Sequence, residues 1–190
     1  VVRRLQSVAI IQNGNVIQYV SSGGTGPYGL AADQVNKQLI VTNRDTGNAW
    51  VIYKDGPSWR LNDRVEMKDF GNVERTQPFE AAYNPNNNRI YITYMMPNGK
   101  WYVDVFEKKS LTDIQRKAIL PVGDSGSDRS PDVGGTGLVI NPDTNNLFVA
   151  DTAAGTVTVI GPANTVVATV HVGLDPYEVA LNRQTQKVYV

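Results

Sequence analysis

Apolar residues along this chain come in short runs separated by Asn, Asp, Pro and Gly, and the runs recur in one register. Four copies of the pattern can be aligned. Pro27-Tyr-Gly-Leu-Ala-Ala-Asp33 is followed by Leu39-Ile-Val-Thr-Asn43, and Pro78-Phe-Glu-Ala-Ala-Tyr-Asn84 by Ile90-Tyr-Ile-Thr-Tyr94. Gly135-Thr-Gly-Leu-Val-Ile-Asn141 is followed by Leu147-Phe-Val-Ala-Asp151, and Pro176-Tyr-Glu-Val-Ala-Leu-Asn182 by Val188-Tyr-Val190. Between the two runs of each copy stand clusters such as Asn84-Pro-Asn-Asn-Asn88 and Asn141-Pro-Asp-Thr-Asn-Asn146. These are hairpin turn residues, so each pair of runs predicts an antiparallel hairpin.

A third apolar run follows each of the first three hairpins, at Ala49 to Tyr53, Trp101 to Phe106 and Thr156 to Ile160. A more polar fourth run then ends in Gly, as in Ile119-Leu-Pro-Val-Gly123 and Val170-His-Val-Gly173. The first two runs are apolar on both faces, as strands sandwiched between neighbouring sheets must be. The fourth run of the first copy carries Arg60, Asp63, Arg64, Glu66 and Lys68 toward solvent. The predicted architecture is all-β: a β-propeller of four-stranded antiparallel blades, with three full blades and two half-blades. The expected divisions are a half-blade at 1–24, blades at 25–74, 75–133 and 134–173, and a half-blade at 174–190. Successive copies begin 51, 57 and 41 residues apart, so the second and third blades carry insertions before them. A β-sandwich would not repeat its strands in one register, and no window sustains a helical apolar period.

Composition changes this picture little but excludes partners. Eighteen Lys and Arg balance eighteen Asp and Glu, which leaves no long-range attraction to nucleic acid or anionic lipid. No apolar run approaches the roughly 20 residues that cross a bilayer. Nucleic acid and membrane insertion are therefore not expected. The absence of Cys removes disulfides, thiolate zinc sites and cysteine nucleophiles, and suits reducing and oxidising compartments alike.

Val41-Thr42-Asn43, Tyr91-Ile92-Thr93, the Asn-Pro turns and the Pro-Tyr-Gly and Pro-Tyr-Glu starts resemble the blades of the Tyr-Val-Thr-Asn propeller family over almost the whole chain. Departures are Tyr94 and Asp151 in place of the motif Asn, and Gly135 in place of the leading Pro. The resemblance implies an exported protein, in an extracellular, cell-surface or periplasmic setting. Ser7-Val-Ala-Ile-Ile11 and Asn15-Val-Ile-Gln-Tyr-Val20 read as a third and fourth strand lacking their first two, while Lys187 to Val190 reads as a second strand. The two half-blades either pair to close a ring of four or belong to a larger propeller. In both cases a strand partner for the Val188 to Val190 edge is expected.

Candidate binding residues fall in loops expected at one end of the blades. The longest insertion, Gly123 to Gly135, holds Asp124, Asp128 and Asp132 among small residues. Three carboxylates in one loop suit a hard cation such as calcium, or simply a solvated surface loop, and their spacing does not match the EF-hand pattern. Arg44, Asp45 and Arg75 are candidates for an anionic ligand or ordinary surface ion pairs. Asp151 is a ligand candidate, or a carboxylate tied to the amides of the next turn. The single His, His171, sits on a fourth strand at the rim, which argues against a Ser-His-Asp triad and excludes a multi-His metal centre within the chain. Trp59 is either blade packing or an exposed contact. Gly23-Gly-Thr-Gly26 precedes a strand and so lacks the helix N-terminus that phosphate loops use.

Two functions from different classes fit these features. The first is a non-catalytic scaffold or binding propeller that recognises a protein or glycan through its loop face or strand edges. The second is a divalent-cation-dependent propeller hydrolase or lactonase with its site at the channel mouth. A subunit of a larger assembly, joined by strand addition, is a third.

Overall fold

The computed structural model describes residues 1–70, 76–96, 99–124 and 137–190. Every described strand pairs antiparallel with its chain neighbour. β1 (Ser7–Gln12) and β2 (Asn15–Ser21) form a two-stranded sheet. The first four-stranded sheet follows as β3 (Pro27–Asp33), β4 (Gln38–Asn43), β5 (Asn48–Asp55) and β6 (Ser58–Lys68), in that order. The second is β7 (Gln77–Asn84), β8 (Arg89–Met95), β9 (Lys100–Lys108) and β10 (Ile114–Asp124), and the third is β11 (Leu138–Asn141), β12 (Asn146–Asp151), β13 (Thr156–Ile160) and β14 (Val166–His171). β15 (Ala180–Asn182) and β16 (Lys187–Tyr189) close the list of strands as a separate pair. β1–β2 and β15–β16 do not join, so the ring of four considered from the sequence is not formed.

The hairpin turns repeat in backbone angle as well as in residue type. Lys37, Asn88, Asn145 and Gln186 occupy the same place in the four copies, and all have φ between 53° and 59°. That left-handed conformation lets a short turn reverse the chain, and Asn tolerates it better than most residues. The turn carboxylates and amides are tied locally. Asp33 accepts from the Asn36 amide, Asn84 from Asn86, Asn141 from Asp143 and Asn182 from Gln184. Two of these side chains then reach the next sheet: Asn84 donates to Asn145 at 2.8 Å and Asn141 to Gln186 at 2.6 Å.

Among the described residues, the buried apolar side chains form layers between successive sheets. Ile40, Val51 and Phe70 of the first sheet region pack with Ile90, Ile92, Tyr94 and Phe106 of the second. The opposite face of the second sheet, with Tyr91, Trp101, Val103 and Val105, packs on Leu147, Val149 and Ile160 of the third. This explains why inner runs are apolar on both faces. Trp59 is half-buried against β2, where Gln18 holds both its backbone groups, at 2.7 and 2.8 Å. β14 departs from the expected polar rim: Val166, Val167 and Val170 are all exposed.

A buried ion pair stitches the first two sheets at the hairpin end. Lys108 Nζ lies 2.7 Å from Asp33 and 2.6 Å from Gln38 Oε1, over the Tyr83 ring. Burial alone would raise the Asp33 pKa, but hydrogen bonds from Lys108 and Asn36 outweigh it and hold the carboxyl below its ordinary value. Burial, with Asp33 nearby, pushes the Tyr83 phenol up to about 12.

Candidate functional site

The opposite ends of the inner strands converge, and the register of the repeat decides which side chains meet there. Two places after each copy begins stand Gly29, Glu80, Gly137 and Glu178. Glycine is required at the first and third. A Cβ on Gly29 would lie 2.3 Å from Phe79 O and 2.8 Å from Glu80 Cα, and one on Gly137 would lie 2.7 Å from Glu178 Cα. Each Gly therefore lets the following, Glu-bearing segment come into backbone contact.

The motif threonines hold this packing. Thr42 accepts from the Gly29 amide at 2.8 Å and donates across to Phe79 O in the next sheet. Thr93 accepts from the Glu80 amide at 3.0 Å. In both sheets the strand register shifts at this point, between Pro27 and Leu30 and between Pro78 and Ala81. The hydroxyl thus satisfies an amide that the shift takes out of the ladder. In the third sheet Ala150 replaces Thr, and Gly137 donates directly to Tyr177 O at 2.9 Å while Thr152 donates to Pro176 O at 2.6 Å.

The result is a polar and aromatic cluster at the mouth formed by the inner strands. Tyr28 and Tyr177 hydroxyls hydrogen-bond at 2.8 Å. Tyr28 meets Phe79 edge-on at 5.3 Å. Arg44 lies over the Phe79 ring at 4.9 Å, and its Nε donates to Gln77 at 3.3 Å. Burial pushes the Glu80 carboxyl up to about 7, with the Glu178 charge adding to the effect. Partial burial also raises Glu178. Tyr28 is held well above the ordinary phenol range by burial and by Tyr177, with Glu80 contributing and Arg44 opposing. A carboxyl that changes charge near neutrality beside hydroxyls and a guanidinium can accept or donate a proton, or bond a polar ligand.

Of the candidates from the sequence, Arg44 belongs to this cluster. Asp45 faces away, exposed and 3.9 Å from Arg3. Asp151 is buried elsewhere, with its carboxylate accepting from the Ala153 and Ala154 amides at 3.1 Å. Asp124 ends β10 opposite Lys100. Arg75, Asp128 and Asp132 lie outside the described residues. Sequence reasoning missed Tyr28, Glu80, Tyr177 and Glu178. The available signal was the Gly-Glu-Gly-Glu alternation at one repeat position. Among the described residues no three His, Asp or Glu side chains gather as a metal-holding group, and no helix is long and apolar enough to cross a membrane.

No family model matches the chain, and no curated protein matches it. Solved structures do. A Bacteroides uniformis protein described as a candidate 6-phosphogluconolactonase superposes with a TM-score of 0.73 at 12% identity, over 96% of this chain and 56% of its own. The β-propeller domain of Cps50 (Swd1) from Myceliophteria thermophila gives 0.66 at 11% identity, over 92% and 52%. The periplasmic gluconolactonase of Pseudomonas aeruginosa gives 0.62 at 12% identity, over 84% and 44%. This chain thus spans about half the length of these proteins. At such identities the likeness shows the fold, which is β-propeller-like, and leaves activity to be argued from the site.

Proposed function

We propose that this chain is a binding β-propeller, exported or surface-associated, that holds a protein or glycan partner at the inner-strand mouth and performs no catalysis of its own. The observation that supports this reading is the Tyr28–Tyr177 hydroxyl pair beside Glu80 and Glu178. Aromatic rings next to carboxyl groups suit both the hydroxyls and C–H faces of a sugar and the basic side chains of a protein. The roles of Thr42 and Thr93 support the resemblance to Tyr-Val-Thr-Asn blades, from which the exported setting is taken.

The test is calorimetric titration of the purified chain with a Lys-rich peptide and with a neutral oligosaccharide, repeated on Glu80→Gln and Glu178→Gln. Binding of either probe that weakens at least tenfold in both variants is expected. Equal binding by wild type and variants would remove the mouth from consideration.

Lactone hydrolysis is the second reading, favoured by the Glu80 carboxyl at about 7, which suits a general acid or base at neutral pH. Two of the proteins it superposes on carry lactonase names. Turnover of gluconolactone that disappears in Glu80→Gln would select this reading. A melting temperature lowered by chelator would add a divalent cation to it.

A further inference from the structure

The three four-stranded sheets share one register, which allows their interfaces to be compared position by position. The residues opposite Asn43 and Val41 on the third strand are Asn48 and Trp50. The matching residues are Tyr102 and Asp104 in the second sheet, and Thr156 and Thr158 in the third. At the first interface the Trp50 ring fills the space, tight against Gly23. At the second, Tyr102 stacks on Tyr94 at 5.6 Å. There Asp104 also holds Arg116 at 3.0 Å, and Arg116 reaches on to Lys68 O and Asp69 O of the preceding sheet. At the third interface both positions are threonine, and their cross-strand neighbours are His171 and Thr169. Small hydroxyl residues stand where a Trp, or a Tyr with an Asp–Arg pair, closes the other two.

A cleft of about 430 Å³ opens there, between β9–β10 and β13–β14. Its floor is buried: Val122, Thr156 and Thr158 are each at most 5% exposed. Thr158 donates to Val122 O at 3.0 Å, where the β10 register shifts, and this leaves the oxygen's lone pairs available to a ligand donor. Pro121 and Val122 form one wall and Thr169 the other, with Lys100 and His171 at the rim. The cleft shares no residue with the mouth.

We infer that this inter-sheet cleft is a second binding site, for a polyol the size of one or two pyranose rings. The volume lies within the range of small-molecule sites. The Thr156 and Thr169 hydroxyls can each donate and accept and Thr158 can accept, which matches the alternating hydroxyls of a sugar. A purely apolar ligand would cover the Thr156 and Thr169 hydroxyls without supplying partners, which disfavours it.

The experiment is an amide-resolved NMR titration of the whole chain with methyl glucoside, methyl galactoside, methyl mannoside and glucuronate. At least one probe is expected to give saturable shifts confined to the amides around Tyr102, Thr156, Thr158 and Thr169. Thr169→Phe, at an exposed position, fills the cleft and should weaken that binding at least tenfold with the melting temperature maintained. If Thr169→Phe does not fold, Ala154→Trp at the rim blocks the same opening. Glu80→Gln should leave the titration unchanged, so failure of the mouth reading and failure of this one are separable. Absence of saturable shifts with all four probes overturns the inference, as do shifts that persist in a folded, blocked variant.

Discussion

The hydroxyls of Tyr28 and Tyr177, 149 residues apart in sequence, meet at 2.8 Å. This bond joins the inner strand of the first four-stranded sheet to the segment that leads into β15. Both tyrosines follow a proline that opens a copy of the repeat, so one sequence position is used twice to build one contact. Tyr177→Phe should cost about 0.5–1 kcal/mol, because the bond is open to solvent and net hydrogen-bond contributions are of that size. Urea unfolding of the variant checks this.

Glu80 makes stability fall with rising pH. Its pKa in the folded chain is about 7 against an ordinary value of 4.5, so the native state keeps the proton that the unfolded chain gives up. The contribution of this group is complete below about pH 4.5 and is lost as pH rises toward 7. Glu80→Gln should match wild type near pH 4 and exceed it in melting temperature near pH 8. Parallel melting curves at the two pH values would contradict the burial assigned to this carboxyl.

The Lys108–Asp33 pair should behave as a buried charge pair. Lys108→Met leaves Asp33 without its cation and is expected to cost about 3–5 kcal/mol, whereas the double change with Asp33→Leu should recover much of the loss. A double-mutant cycle by denaturant unfolding reads both values. Since the Asp33 pKa is depressed, the pair's stabilisation is present above the ordinary Asp range and disappears as pH falls through the folded value.

Thr42→Val tests the bridge between sheets. The substitution keeps the shape but removes the partner of the Gly29 amide and of Phe79 O. Buried groups left without partners cost about 1–3 kcal/mol each.

Gly29→Ala should destabilise more than Gly14→Ala. The added Cβ at position 29 would meet backbone at 2.3 Å, whereas at position 14 nothing lies within 4 Å and the cost is that of the left-handed φ of 78°. Comparative thermal melts of the two variants give the order directly.

Taken by itself, the sequence determined the strands, their hairpins, their grouping in fours and the turn positions, because alternation and turn chemistry act over a few residues and repeat with the chain. Asn88, Asn145 and their equivalents adopt the left-handed conformation for local reasons that residue type already expresses. The tertiary structure decided what the repeat positions do. Arg44 turns inward over Phe79 and Asp45 outward to Arg3, although the two are adjacent in the chain. Glu80 acquires its raised pKa from burial and from a carboxyl 98 positions away. Trp50, Asp104 and Thr158 hold one register position, yet only the stacking of sheets turns that difference into two filled interfaces and one cleft. Each of these outcomes depends on distances between strands far apart in the chain, and no local pattern encodes such distances.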